Sequence, residues 1–349
     1  MKKGKLGSKI IMDTLNGLSI GIIVALVPGA LINQLVKALL PIAPQLNIIL
    51  QLTGLAAIMM PVVSGACVGI IGKLTPIQTA SIALAAVAGA GNFQFTKQGF
   101  IAQGSGDVIN TAITIMIAYL IVQLIGQVLK AYTILLVPLI VVIVGGGIGH
   151  LTLQPISTIT KAIGLVVNQL STLQPIIMGI LIGVIFALLI VSPISSVGIA
   201  TAINLHGIAA GSASVGIVAA SFALAIYGWK VNSIGTSLAH FLGSPKMQMA
   251  NLMPHPKLLI PMSVNAALLG GLAAGLHITG TPTTAGFGFS GLIGPLTALQ
   301  GMDSNSFANI CLVTLIYLVL PIALGLVSNF IFYRQLNFFK PQDFALNYE

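Results

Sequence analysis

Charge is almost absent from this chain, and that constrains everything else. Its 349 residues carry fourteen Lys and Arg and five Asp and Glu, while 56% are hydrophobic. A soluble domain keeps roughly a quarter of its residues charged to hold its surface in water. So few charges cannot cover a globule of this length, and the chain must instead turn its surface to lipid. A spanning helix needs about 20 mostly apolar residues. Runs of that kind cover 15–40, 46–72, 75–91, 108–129, 132–150, 176–192, 211–229, 258–276 and 307–333. The expected fold is therefore an all-α polytopic membrane protein.

The net charge of +9 is not a nucleic-acid signal. Nucleic-acid binders gather Lys and Arg on one face, whereas here they are dispersed between apolar runs. One cluster, Lys2, Lys3, Lys5 and Lys9, precedes the first run and fits retention of the amino terminus in the cytoplasm. A cleaved signal peptide is the competing reading, but the first run is long and no A-x-A-like site closes it. Cys67 and Cys311 sit inside apolar runs outside any CxxC or zinc spacing, so both read as small core residues and no metal site is expected.

Two apolar stretches are broken: 193–209 (PISSVGIATAINLHGIA) and 277–300 (HITGTPTTAGFGFSGLIGPLTALQ). If the first crosses the bilayer and the second is re-entrant, ten crossings put Lys73, Lys130, the basic loop 230–257 and Arg334 and Lys340 on the cytoplasmic side with both termini. If 193–209 is a hairpin that fails to cross, the basic loop lies outside. The polar stretch 151–175 is expected outside, as a surface-lying helix. The loop 230–257 is expected to form one amphipathic helix on the membrane or docked against the spans, with His240 solvated.

Irregular backbone at membrane depth is tolerated only where it is buried in protein or lines a cavity, and transporters bind substrate at such breaks. The candidate binding residues are therefore Ser195, Ser196, Asn204 and His206 in the first stretch. In the second they are His277, Thr279, Thr281, Pro282, Thr283 and Thr284. Hydroxyls, amides and imidazoles both donate and accept, which suits an uncharged polyhydroxy ligand. The competing account is that Ser and Thr bond back to their own helices. None of Asp13, Asp107, Asp303, Asp343 and Glu349 lies mid-span, which argues against a carboxylate-coupled ion pump and leaves histidine coupling open. No Walker loop, HExxH or GxSxG occurs, so neither enzyme chemistry nor a cofactor is expected. GFGFSG at 286–291 echoes a phosphate loop but follows no soluble strand. A channel reading lacks a carbonyl or charge ring.

The runs SPISSVGIATAINLHGIAAGSASVGI, GTSLAHFLGSPKMQMANL and TPTTAGFGFSGLIGP resemble the EIIC membrane component of bacterial sugar phosphotransferase systems, in particular the EIIC-like group that includes the perfringolysin O regulator. The resemblance is best from about 176 to 300. It implies a ten-span glucose-superfamily fold in a bacterial cell membrane, with an amino-terminal half (1–150) forming a homodimer interface and a carboxy-terminal half (151–349) binding solute between two hairpins at 193–209 and 277–300. It also implies elevator-type transport and separate phosphotransferase subunits as partners. Sugar-carrying members place a Glu before the Pro of the second hairpin; here Gly280-Thr281-Pro282 puts Thr281 in that position, and a threonine cannot supply a carboxylate's charge-assisted bonds. Two functions stay in view: a transporter of a small polar solute, a sugar among the candidates, and a membrane-embedded ligand sensor or regulator that moves nothing.

Overall fold

The computed structural model describes residues 3–97, 99–102, 104–126, 128–129, 132–302 and 306–346. Lys2, Lys130, Asp303 and Glu349, which entered the charge reading, lie outside the described residues. The protein separates into two compact units: Met1–Gly29 with Val36–Ile159, and Ala30–Leu35 with Thr160–Glu349.

The first unit opens with helix α1 (Lys3–Leu39). Asp13, near its start, pairs with Lys9 at 3.3 Å and accepts a 2.9 Å bond from the Tyr119 hydroxyl. Helices α2 (Asn47–Ile58) and α3 (Met60–Ile71) replace the single run expected over 46–72, with a 52° bend between them. Pro61 explains the break, because its ring has no N–H to donate and crowds the carbonyl four residues back. Helix α4 (Pro76–Ala90) starts on a capping box in which Thr75 and Gln78 bond each other's backbone N–H. A two-stranded hairpin, β1 (Phe93–Thr96) against β2 (Gly99–Ala102), follows. Helix α5 (Val108–Ile125) is capped by Asp107.

The next run departs from expectation. α6 (Thr133–Ile140), a π-helical stretch over Val141–Gly146 and α7 (Gly147–Leu170) form one continuous helix. The separate surface helix expected over 151–175 is thus the amphipathic continuation of the preceding span. Nothing in HLTLQPISTIT stops a helix, and even Pro155 is carried within it. Asn110, fully buried, ties this helix to its neighbours. Its amide donates to the carbonyls of Gly89 (2.6 Å) and Gly149 (2.7 Å), and its oxygen accepts from Thr152 at 2.8 Å. Ile82, Ala86, Ile115, Ala118, Tyr119 and Val137 form the core around it.

The second unit is built on α8 (Pro175–Ile190), α10 (Gly207–Tyr227) and α13 (Leu259–Gly275). Small residues let these three backbones nearly touch, the membrane substitute for an apolar driving force. A Cβ on Gly183 would meet the Ala266 carbonyl at 2.8 Å, and one on Gly179 would strike Gly270 and Ala274. These contacts make α8 and α13 antiparallel. Gly211 lies against Ile278 while Tyr227 bonds Asn265, so α10 also runs antiparallel to α13. α8 and α10 are therefore parallel, and the short helix α9 (Ser196–Ala202) carries the chain back between their ends.

Beyond α10 come α11 (Ile234–Leu242), a 3-10 turn Pro245–Gln248 and α12 (Met249–Leu252). The loop 230–257 is thus two short helices rather than one, since Ser244-Pro245 breaks the first. His240 was expected in solvent; it is fully buried, with Nδ1 donating to the carbonyls of Thr236 and Ser237 and Nε2 accepting from Gln248. The tail folds back on this loop. Phe339 and Phe344 pack on Tyr227, and Gln248, Asn251 and Asn232 donate to the carbonyls of Phe344 and Ala345. α14 (Pro282–Phe287), α15 (Ile293–Gln300) and the long helix made of α16 (Phe307–Thr314), a π-helical stretch, and α17 (Leu320–Asn329) complete the unit. Cys311, expected in the core, stands exposed on α16, and Cys67 is half-buried.

Among the described residues, six helices are long and apolar enough to cross a membrane, seven if α2 and α3 form one span; α4 and α8 are apolar but shorter. This is a multi-pass, all-α membrane protein with a small β-hairpin. The expected count of ten rests on the shorter and broken elements.

Candidate functional site

Each broken stretch contains the same local device, near the end of the first and at the start of the second. After α9, Asn204 takes a left-handed conformation (φ 48°), with Asn204 N–H bonding the Thr201 carbonyl (3.1 Å) and Leu205 N–H the Ala200 carbonyl (2.8 Å). After α13, His277 does the same (φ 54°): its N–H bonds Ala274 (3.1 Å) and Ile278 N–H bonds Ala273 (2.9 Å). These paired bonds are Schellman closures, which satisfy helix-terminal carbonyls that lipid cannot. Asn tolerates the left-handed region well and His less so.

Three residues beyond each closure comes a glycine, and the two glycines meet. Gly207 N–H bonds the Gly280 carbonyl at 3.1 Å and Gly280 N–H returns to Gly207 at 3.0 Å, a one-rung antiparallel bridge. Gly207 needs its lack of a side chain for φ 63°; Gly280 needs it because a Cβ would lie 2.9 Å from the Ala210–Gly211 backbone. The structure therefore brings His206 and Thr279–Thr281 to one junction.

On one side of the junction is a cavity of about 440 Å³. Asn168, Ser171, Asn204 and His206 supply its polar lining, and Leu173, Met178 and Ile203 contribute apolar surface. His206 Nδ1 lies 2.6 Å from the Asn204 carbonyl. With Nδ1–H donating there, Nε2 is left as an acceptor on an exposed ring. Asn168 and Ser171 were missed because they sit in the stretch read as a surface helix.

The other candidates have structural partners. Ser195 caps α9 by accepting from Gly198 N–H at 3.0 Å, and buried Ser196 donates to the Gly286 carbonyl at 2.9 Å, joining α9 to α14. Thr281 caps α14: its hydroxyl accepts from Thr284 N–H (3.4 Å), while Thr284 Oγ1 accepts from Thr281 N–H (2.8 Å). The position that the resemblance gives to an acid is therefore an N-cap, where Pro282 follows as the first helical residue. Thr283 and His277 are exposed and line no part of the cavity, and Thr284 is buried in the cap.

Lys246 belongs to the basic loop 230–257, whose charge is expected on the cytoplasmic side. It is only 6% exposed, and its ammonium donates to the carbonyls of Ser192 and of Ile194, the latter at 2.9 Å. Burial pushes its amine down to about 7, and pushes His240 down to about 4. Lys230 and Lys257 remain exposed as the loop's solvent-facing charges.

Comparison with known proteins sharpens this picture. No curated protein and no solved structure matches the chain. The family described as phosphotransferase system, EIIC, matches residues 12–346, nearly the whole length, including both broken stretches, the glycine bridge and the buried loop. The chain belongs to the phosphotransferase system EIIC family, a family of membrane transporter components.

Proposed function

We propose that this protein binds a small polar solute, with a sugar the leading class, at the cavity beside the Gly207–Gly280 bridge, and carries it across a bacterial cell membrane. One observation carries the reading: in a chain of apolar helices, both irregular segments converge on one bridge next to a polar-lined cavity. His206 Nε2 accepts from a solute hydroxyl, and the Asn168 and Asn204 amides donate to it. Thr279, Thr281 and Thr283 lie on the second segment for contact once solute is bound. Motion of the carboxy-terminal half in elevator fashion, a homodimer built on the amino-terminal half and cytoplasmic termini complete the proposal. Phosphorylation of the solute belongs to separate subunits.

A second reading has its own support. The Thr281 hydroxyl is engaged in a helix cap and no carboxylate stands there, which favours a sensor that binds without committing to phosphotransfer. Proteoliposome uptake of labelled sugars and polyols, with and without phosphotransferase subunits, separates the two. Transport predicts saturable uptake lost in His206→Ala; saturable binding with no flux for any solute in the panel favours the sensor.

A further inference from the structure

The four-residue turn Gly243–Lys246 touches both broken segments. The Gly243 carbonyl accepts from the Ser290 hydroxyl, just beyond α14, and the Lys246 ammonium donates to Ser192 and Ile194, just before α9. Aromatic packing reinforces the link: Phe241 of α11 stacks on Phe222 of α10 at 4.2 Å and meets Phe289 of the second segment edge-on at 5.9 Å. We propose that this turn is the joint that couples the two segments, that Lys246 is its positioning residue, and that the joint opens with uptake of a proton by Lys246.

The chemistry follows from what surrounds the amine. The two carbonyls belong to the turn after α8, where a helix C-terminus concentrates partial negative charge. The Lys246 amine therefore sits where these carbonyls accept its N–H bonds. No carboxylate compensates it. Among the described residues of this unit the only acid is Asp343, which accepts from Lys340 N–H within the tail. His240, on α11, is held neutral by burial, against the opposing pull of its backbone bonds; Lys230 is exposed with its ammonium 5.4 Å from the centre of the Tyr333 ring, and Lys257 is exposed. Two carbonyl bonds do not offset the loss of water, so the closed joint prefers the neutral amine. An opened joint hydrates the same amine, which then binds a proton at ordinary lysine affinity. Between about pH 7 and the usual lysine range the open state holds more protons, so opening becomes easier as pH falls toward 7. The step is a proton transfer from solvent to Nζ, with no other bond made or broken. It supplies proton linkage to a membrane protein that has no mid-span carboxylate, and it rests on the two segments forming the site proposed above.

Hydrogen–deuterium exchange of the full chain in lipid nanodiscs, corrected for intrinsic rates, tests this without any solute. From pH 6.5 to 9, where His240 stays neutral, exchange of residues 195–206 in the wild type should fall about tenfold or more. Residues 282–290 should follow with the same midpoint. Lys246→Arg, always charged, and Lys246→Met, never charged, should both lose the pH dependence. A flat wild-type profile, a wild-type slope in Lys246→Arg, or a response confined to the first segment overturns the proposal. Should Lys246→Met fail to fold, the Arg comparison decides. Joint behaviour as expected with no solute binding in the uptake panel would refute the site reading alone.

Discussion

Protonating His240 should loosen the carboxy-terminal tail, by an amount set by the burial of its ring. In the folded protein Nδ1–H is held by the carbonyls of Thr236 and Ser237, and Nε2 accepts from the Gln248 amide at 3.1 Å. A second proton must go on Nε2, where it faces a donor instead of an acceptor. Gln248 would have to turn away, and with it the 2.9 Å bond that it donates to the Phe344 carbonyl. Burial is the larger obstacle and lowers the ring from its ordinary 6.5 to about 4. The opened state binds the proton with ordinary affinity, so stability is fully present above pH 6.5 and is lost as pH falls toward 4. Between pH 6.5 and 4.5 the loss comes to about 2 kcal/mol, or roughly thirtyfold in the opening equilibrium. Exchange of residues 336–346, corrected for intrinsic rate, reads it directly. The comparison is with His240→Gln, which keeps a donor and an acceptor but does not titrate in this range. An equal pH slope in wild type and His240→Gln would refute the reasoning.

Other perturbations probe each unit. Asn110→Leu strands the carbonyls of Gly89 and Gly149 and should cost about 2–4 kcal/mol, seen as a lower unfolding temperature in detergent, with Asn110→Asp only partly restoring it. Gly216→Val places side-chain atoms inside the Gly183 backbone and should abolish folded yield, whereas Gly235→Ala, with open space around it, should leave yield unchanged. Thr281→Val removes the cap of α14 and should raise exchange of residues 282–287 several-fold, about 1 kcal/mol, while Thr281→Asp should preserve protection.

Much of this was legible because lipid leaves few options. Long apolar runs can only be helices there, and helices appear at every run from 15–40 to 307–333. The breaks were legible for the same reason, since Pro193, Pro282 and the surrounding Ser, Thr and Gly are poor helix interior. What the sequence hid was the use made of polar atoms. Lys246 and His240 look like any hydrophilic loop residues; only the carbonyls of Ser192 and Ile194 that receive Lys246, and Gln248 that links His240 to the tail, reveal that they are buried. Asn168 and Ser171 were passed over because 151–175 reads as a separate surface helix, whereas α7 continues the preceding span and delivers Asn168, with Ser171 in the turn just beyond it, to the cavity. Ser195, Ser196 and Thr284 carry a structural use that the sequence does not show. Their hydroxyls were read as ligand donors, yet each already bonds backbone within the protein.

The two tips also follow one rule that residue identity conceals. N-L-H-G at 204–207 and H-I-T-G at 277–280 share a left-handed first residue, an apolar second residue whose N–H closes the helix, and a terminal glycine that pairs with its counterpart. In this register His206 corresponds to Thr279, not to His277. His277 stands where Asn204 stands, as a closing residue, which explains why it is exposed yet absent from the cavity lining. These closures and the bridge take the N–H groups of Asn204, Leu205, Gly207, His277, Ile278 and Gly280. For a solute at the proposed cavity, the imidazole of His206 is the side chain placed to distinguish one hydroxylated solute from another. His277→Asn should accordingly leave solute binding intact, and His206→Asn should not. Equal losses from the two changes would break the correspondence between the tips.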